Sequence, residues 1–278
     1  MIEIADLSFS YSGTFAPALD GINLTIPCGQ LCGVVGANGS GKSSFCYALS
    51  GFIPHFFGGV YRGGIRIAGR LVAEHTPAEL AGDVGLVFEN PFNQISGARF
   101  TVAEEIAFGL ENLAVPVGEM HDRVKQALAV TGLTELADRS PFALSGGQQQ
   151  RLAVASMIAM KPKVLVLDEP SSQLDPSGTR DLFVALKGLV SESGLTVILT
   201  EHKLEWLAAF ADRIIALAAG RVILDGAPRE VLTSPAMLEN GVGQTRYTEA
   251  ATLCRQAGLV KADGPLPVTL DQAVEALR

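Results

Sequence analysis

The chain has 278 residues, of which 48% are apolar and 18% are charged, so it can build one large domain with a small appendage and is not expected to be disordered. Its formal net charge of −8 argues against a nucleic-acid-binding protein, because such proteins usually carry a basic excess. The sequence lacks the unbroken apolar run of about 18 residues that a membrane-spanning helix needs, so we do not expect the chain to cross a membrane by itself.

The first segments predict two strands with an aromatic residue between them. Residues 2–8 and 22–26 have the apolar pattern of strands. Tyr11 lies in the predicted turn that joins them. Its ring either stacks on a purine base or packs within the turn, and its position along the chain alone does not separate these two interpretations.

A glycine-rich loop with the spacing G-x-x-x-x-G-K-[ST] comes next. It consists of Gly36, Ala37, Asn38, Gly39, Ser40, Gly41, Lys42 and Ser43. A short apolar strand precedes the loop and a predicted helix follows from Ser44 to Ser50, which is the context of a phosphate-binding loop. Backbone N–H groups of such a loop face phosphate oxygens, and the helix start adds partial positive charge. We therefore predict that Lys42 reaches the β- and γ-phosphates and that the Ser43 hydroxyl ligates Mg²⁺.

The middle of the chain combines a buried strand with a helical stretch. The apolar run 84–88 predicts a strand, and Glu89 follows it, where polar groups tend to meet the ligand crevice of an open α/β sheet. Thr101 and Glu104 have the spacing of a capping box, which starts a helix. We expect a mostly helical subdomain over about 92–160.

A second possible anion-binding element lies inside this helical stretch. The segment Leu144-Ser145-Gly146-Gly147-Gln148 opens a helix predicted to run to about Met160. The N–H groups at a helix start attract anions. Two such helix starts in one chain are hard to place on one triphosphate.

Two further buried strands end in polar side chains. The strand 164–167 is followed by Asp168 and Glu169. Asp168 is placed to hold Mg²⁺ beside a phosphate-binding loop, and Glu169 to polarise an attacking water. The strand 196–200 leads to His202. Beyond two short strands near 213–226, the composition changes at about residue 236, and two short helical patterns follow at 245–257 and 269–277.

Together these motifs resemble those of the ATP-binding cassette ATPases over about residues 1–235. In that comparison Gly36–Ser43 looks like the Walker A loop, Leu144–Gln148 like the signature motif, Val164–Glu169 like the Walker B strand, Ser172–Asp175 like the D-loop, His202 like the switch histidine and Tyr11 like the adenine-stacking aromatic residue. The resemblance implies an α/β P-loop cassette fold: a RecA-like mixed core, an antiparallel β subdomain and a helical signature subdomain. Residues 236–278 would form a small C-terminal extension.

The resemblance also implies an ATP-hydrolysing dimer, for which we favour two copies of this chain. Each ATP would lie between the Walker A loop of one chain, with Ser44, and the signature residues Ser145, Gly147 and Gln148 of the other. Glu169 would be the general base, and His202 and Lys42 would contact the γ-phosphate.

One position departs from the family pattern. Glu89 stands where the family usually has the glutamine of the Q-loop. An ionised glutamate ligates Mg²⁺ at least as well as glutamine but cannot donate a hydrogen bond. We expect Glu89 to join Ser43 and Asp168 in organising Mg²⁺ and to alter the metal or pH dependence of hydrolysis.

Phe88–Gln94 and Thr200–Glu205 resemble the energy-coupling factor group within this family. Members of that group power the uptake of vitamins or of cobalt and nickel ions, together with a transmembrane coupling subunit and a membrane subunit that binds the substrate. This chain would then sit at the cytoplasmic face of the membrane as a peripheral subunit. The apolar patch 52–57 and the surface near 90–100 are our predicted groove for the transmembrane partner, with core packing as the alternative.

The other interpretation is a soluble cassette ATPase of the repair or translation type. Repair types carry a long coiled coil between Walker A and signature, and this stretch shows no sustained heptads. Translation types usually join two cassettes in one chain, whereas this sequence shows one set of cassette motifs.

Overall fold

A computed structural model describes residues 1–259 and 264–276 of the chain. It contains two sheets, one antiparallel with the order β2-β1-β4-β5 and one mixed with the order β10-β9-β3-β8-β7-β6. The ten strands are β1 (Ile2–Tyr11), β2 (Leu19–Ile26), β3 (Leu31–Val35), β4 (Gly59–Ile67), β5 (Arg70–Leu71), β6 (Val84–Val87), β7 (Val164–Leu167), β8 (Thr196–Thr200), β9 (Arg213–Ala218) and β10 (Arg221–Gly226). This two-sheet α/β architecture with a helical part confirms the predicted fold class.

Twelve helices in the described part of the chain surround these sheets. They are α1 (Lys42–Leu49), α2 (Phe52–His55), α3 (Pro77–Leu80), α4 (Val102–Asn112), α5 (Val117–Val130), α6 (Gly146–Ala159), α7 (Pro176–Ser193), α8 (Leu204–Phe210), α9 (Pro228–Leu232), α10 (Pro235–Glu239), α11 (Arg246–Gln256) and α12 (Leu270–Ala276). None of these described helices is long and apolar enough to cross a bilayer.

The mixed sheet positions the candidate site. Strands β3, β8, β7 and β6 run parallel, and every residue of these four strands is buried. Continuous apolar strands of this kind are covered by helices on both faces. Because parallel strands end at the same edge, the segments that follow β3, β7 and β8 meet there.

The helical part has its own core. Helices α4, α5 and α6 pack around buried residues such as Ile106, Leu128 and Leu152. The predicted capping box at the start of α4 is present: Thr101 accepts a hydrogen bond from the Glu104 N–H, and the Glu104 side chain returns to the Thr101 N–H.

The end of strand β1 differs from the sequence expectation for a long-range reason. Tyr11 is the last residue of β1 rather than part of a turn, since it pairs with Gly59 of β4. The apolar patch 52–57 contains the short helix α2.

The two C-terminal helical patterns both form helices, although Leu277 lies outside the described residues. Helix α11 is tied to helix α8, because Glu205 accepts hydrogen bonds from the backbone and guanidinium of Arg246. The division of the chain at residue 235 stays a prediction.

Candidate functional site

The loop after β3 needs glycine at two positions. A Cβ on Gly36 would lie 2.3 Å from the Ser40 Oγ and 2.5 Å from the Leu217 carbonyl oxygen. Gly41 has a φ of +105°, and a Cβ there would lie 2.4 Å from the Ala18 carbonyl oxygen. Only glycine fits such a left-handed conformation and such a close approach. The motif spacing is thus explained by the geometry of the loop.

Two polar side chains inside this loop differ in their access to an anion. The Lys42 Nζ donates hydrogen bonds to the carbonyl oxygens of Gly36 (2.9 Å) and Ala37 (3.2 Å), so the side chain lies folded across the loop. The buried Ser40 Oγ has no hydrogen-bond partner among the described residues, which is a costly arrangement for a hydroxyl. Lys42 lines the cavity beside the loop, whereas Ser40 does not.

A hydroxyl from β8 fixes the Asp168 carboxylate and the Glu169 backbone after β7. Thr200 donates from its Oγ1 to an Asp168 carboxylate oxygen (2.7 Å) and accepts from the Glu169 N–H (2.8 Å). Asp168 is 1% exposed. Burial raises its pKa, while hydrogen bonds from Thr200 and Ser43 act in the opposite direction. Glu169 has a φ of +47°, a strained conformation for this residue type that is often found at functional sites.

Glu169 also contacts the predicted switch histidine. Its carboxylate oxygen lies 2.8 Å from the His202 Nε2. Both side chains reach a cavity of about 670 Å³ at the carboxyl edge of the sheet. Tyr11, Ser43, Ser44 and Glu89 line the same cavity, together with residues of the glycine-rich loop. The structure therefore brings together residues that the sequence places from position 11 to position 202.

The charge of this cavity favours a bound cation. Glu89 and Glu169 line it against a single lysine, Lys42, and the buried Asp168 carboxylate lies behind Ser43, so a triphosphate alone would meet net negative charge. Burial and then the nearby Asp168 carboxylate also raise the pKa of Tyr47, in the adjacent helix α1, to about 12. The described residues contain no group of three or more His, Cys, Asp or Glu side chains that could hold a metal ion on their own. This donor set fits Mg²⁺, which is commonly held by one or two carboxylates plus substrate phosphates.

The Tyr11 ring is half-buried at the rim of the cavity. It packs edge-on against Phe9 (4.8 Å between ring centroids) and Phe57 (5.8 Å), and its hydroxyl lies 3.0 Å from the Ser44 Oγ. These contacts fix the ring beside the start of helix α1. Stacking on an adenine base stays a prediction.

The signature residues lie apart from the cavity. Ser145, Gly147 and Gln148 are not among its lining residues. Ser145 is exposed and caps helix α6, where it accepts from the Gln148 N–H at 3.3 Å while the Gln148 side chain accepts from the Ser145 N–H at 2.9 Å. The helix start at Ser145 is thus separate from the glycine-rich loop and its cavity.

The sequence reasoning missed a buried carboxylate next to the switch histidine. Glu201 is 4% exposed and accepts hydrogen bonds from the Ser171 hydroxyl and from the N–H groups of His202 and Lys203. The Lys203 Nζ donates back to the Ser171 carbonyl oxygen. This network joins the end of β8 to the segment after Glu169. The only signal in the sequence was an acidic residue directly after a buried strand.

Comparison with known proteins agrees with the family resemblance of the sequence motifs. The family model described as "ABC transporter" matches residues 19–172. The chain is 40% identical over 280 residues to the energy-coupling factor transporter ATP-binding protein EcfA1 of Caldanaerobacter subterraneus subsp. tengcongensis, covering 99% of this chain and 98% of that protein.

Two solved structures are also similar. The structure of cbiO1 from Clostridium perfringens, described as part of the ABC transporter complex cbiONQ, has a TM-score of 0.75 and 30% identity and covers 91% of this chain and 98% of its own. The dimeric ATP-binding cassette MJ0796 bound to ADP and Pi in a post-hydrolysis state has a TM-score of 0.72 and 28% identity, over 82% of this chain and 99% of its own.

Proposed function

This chain belongs to the ABC transporter family as an ATP-hydrolysing chain, and from that premise we propose that it energises a membrane importer of the energy-coupling factor type. The observation that carries the proposal is the extent of the likeness to EcfA1, which spans 99% of this chain and therefore includes most of the stretch after residue 235. The imported substrate would be a transition-metal ion such as cobalt or nickel, or a vitamin. It would be selected by a membrane subunit rather than by this chain.

The working unit would be a dimer of this chain that sandwiches two ATP molecules. The separation of the cavity from the exposed Ser145 cap supports this arrangement, because a partner chain can bring its own α6 start to the open side of the cavity. The dimeric MJ0796 cassette is a similar protein in which two chains do associate. ATP binding would close the dimer, and hydrolysis would let it reopen.

In this mechanism the residues of one chain hold the phosphates. Lys42 and the loop N–H groups would bind phosphate oxygens, and Tyr11 would stack on the adenine. Ser43, Asp168 and Glu89 would hold Mg²⁺, which when bound neutralises charge on the phosphates.

The chemical step would use the pair of side chains at the carboxyl ends of β7 and β8. Glu169 would take a proton from the water that attacks the γ-phosphorus, or orient that water for attack, while the bond from the γ-phosphorus to the bridging oxygen breaks and ADP is the leaving group. His202, 2.8 Å from the Glu169 carboxylate, would keep that carboxylate in place and contact the γ-phosphate. The partner's signature helix start would stabilise the charge on the γ-phosphate from the other side.

Exposed aromatic residues support the predicted contact with a transmembrane subunit. Phe56, Phe92 and Phe100 are 73%, 59% and 88% exposed, and Phe92 packs against the exposed Phe142 with 6.2 Å between ring centroids. Among the described residues, Phe92 and Phe142 form an exposed apolar contact, and contiguous exposed apolar side chains often mark interaction sites. Phe52 and Phe57, in contrast, pack on the core beneath. A peripheral position at the cytoplasmic face of the membrane follows from this proposal.

Co-purification tests the proposal directly. An affinity-tagged chain, extracted with a mild detergent from cells that encode it, should recover two different integral membrane proteins, identified by mass spectrometry. A Glu169→Gln variant serves as the matched control, because it should retain these partners while failing to support uptake of the substrate. Recovery of the chain with ribosomes or DNA and without membrane proteins would favour the soluble alternative.

A further inference from the structure

A second cavity lies at the opposite edge of the large sheet from the candidate nucleotide site. Its volume is about 610 Å³, within the range of small-molecule sites. Val164 and Thr196, the first residues of β7 and β8, contribute to its wall. The nucleotide-site residues follow the other ends of these same strands. The two cavities are therefore separate.

The wall of this second cavity joins the helical part to the α/β core. Helix α5 contributes Ala127, the last turn of α6 contributes Ile158, and the end of α7 contributes Leu189. Small-molecule sites occur preferentially at such junctions. A ligand here would contact both parts of the chain at once, and its apolar body would pack on aliphatic side chains.

The charged residues of this wall are all cationic. Arg123, Lys161 and Lys163 line the cavity, and no described Asp or Glu does, although the chain carries 29 acidic residues against 21 basic ones. Arg123 pairs with Glu119, and Lys163 pairs with Asp83, a carboxylate that Arg70 also contacts. Lys161 has no ion-pair partner among the described residues. The rim therefore offers positive charge to an incoming anion.

From the apolar wall and the cationic rim we infer that this cavity binds a small single-chain amphiphile with an anionic head, of the medium-chain carboxylate class. The apolar chain would lie between α5, α6 and α7, and the head would lie at Lys161 and its neighbours. This inference does not depend on the proposed transport function, because binding can be measured without ATP or a membrane partner.

A cysteine in the wall provides the readout. Cys28 is exposed and lines the cavity, Cys32 and Cys46 are buried, and Cys254 lies elsewhere on the chain. In a Cys254→Ser protein, the rate of maleimide labelling therefore reports access to Cys28. Decanoate below its micellar concentration should slow this labelling in a saturable way, and calorimetry should give the same dissociation constant in the submillimolar range. Acetate, which lacks the long alkyl chain of decanoate, should not protect Cys28 from labelling.

Matched variants test the contacts of the anionic head group and of the alkyl chain of the ligand separately. Lys161→Glu should weaken decanoate binding about fivefold or more, since it replaces an attraction by a repulsion, whereas Lys125→Glu, an exposed lysine of α5 outside the wall, should not. Ser193→Trp should fill the cavity and abolish protection. Ser191→Trp is its control, because both serines are exposed and donate to the carbonyl oxygen four residues earlier.

Two results would overturn the inference. The absence of saturable binding of decanoate by both methods would remove the site. Equal binding of decanoate and uncharged 1-decanol, or a Lys161→Glu variant that binds decanoate as wild type does, would remove the assignment of an anionic ligand.

Discussion

The buried carboxylate of Glu201 should hold the switch histidine in place, and its replacement tests this idea. In Glu201→Ala the Ser171 hydroxyl loses its acceptor in a buried position, and the N–H groups of His202 and Lys203 lose theirs in partly buried positions. An unsatisfied buried donor costs about 1–3 kcal/mol, and a partly buried one less. We therefore expect a loss of about 2–5 kcal/mol in the free energy of unfolding.

Glu201→Gln is the conservative comparison. Its amide oxygen can still accept from the two backbone N–H groups, and its amide nitrogen can donate to the Ser171 Oγ, which then accepts. The expected loss is below about 2 kcal/mol. Urea unfolding with unchanged m-values measures both differences, and Glu192→Ala, at an exposed acid of helix α7, should change stability by less than about 0.5 kcal/mol.

The same variants should separate stability from catalysis. Without the Glu201 hydrogen bonds to the N–H groups of His202 and Lys203, His202 can move away from the Glu169 carboxylate. In the wild-type structure the His202 Nε2 lies 2.8 Å from that carboxylate. A misplacement of about 1 Å at a reacting group can lower the rate by about 10²-fold. Glu201→Ala should therefore hydrolyse ATP far more slowly than Glu201→Gln at a temperature where both are folded. Glu201→Ala with wild-type stability and wild-type turnover would refute the reasoning.

Four further changes test the proposed roles. Glu169→Gln should bind ATP, lower turnover by about 10²–10⁴-fold and accumulate as a dimer on gel filtration with ATP; turnover near that of wild type would exclude it as the base. Glu89→Gln should change the Mg²⁺ and pH dependence of ATPase activity, and identical profiles would remove its role at the metal. Ser145→Ala should leave ATP binding to isolated chains intact while reducing hydrolysis, and wild-type hydrolysis that is unaffected by dilution would exclude a shared site. Gly41→Ala should abolish nucleotide binding in equilibrium dialysis, because its Cβ would lie 2.4 Å from the Ala18 carbonyl oxygen; retained affinity would contradict the assigned loop geometry.

Local patterns predicted the glycine-rich loop and several helix starts. The capping box at Thr101 depends on Glu104, three residues later, so the local pattern includes both partners. The glycine spacing at 36–43 is visible locally, but part of its cause is distant, because a Cβ on Gly36 or Gly41 would approach the carbonyl oxygens of Leu217 and Ala18. Helix α7 likewise begins at residue types that favour a helix start, because Asp175 accepts a hydrogen bond from the Gly178 N–H and Pro176 is the first helical residue.

Features that depend on distant segments could not be predicted in this way. Strand β1 extends to Tyr11 because β4 pairs with it from Gly59 onward, and no local pattern reports that partner. The acceptor role of Glu201 requires Ser171, thirty positions earlier in the chain. The second cavity is assembled from helices α5, α6 and α7 and from strand ends, so it appears only once these elements are packed.

In the proposed mechanism, the strand β8 would couple metal binding, water activation and the response to the γ-phosphate. Thr200 fixes Asp168 and the Glu169 backbone through a single hydroxyl, and the strand then continues directly into Glu201 and His202. A movement of His202 when phosphate leaves would act on the Glu201 carboxylate and so on Ser171. The segment after Ser171 leads to the D-loop and helix α7, so the loss of phosphate would reach the surface where a second chain is expected. In the proposed mechanism the buried Glu201 carboxylate, together with His202, would then transmit the loss of phosphate to the dimer interface.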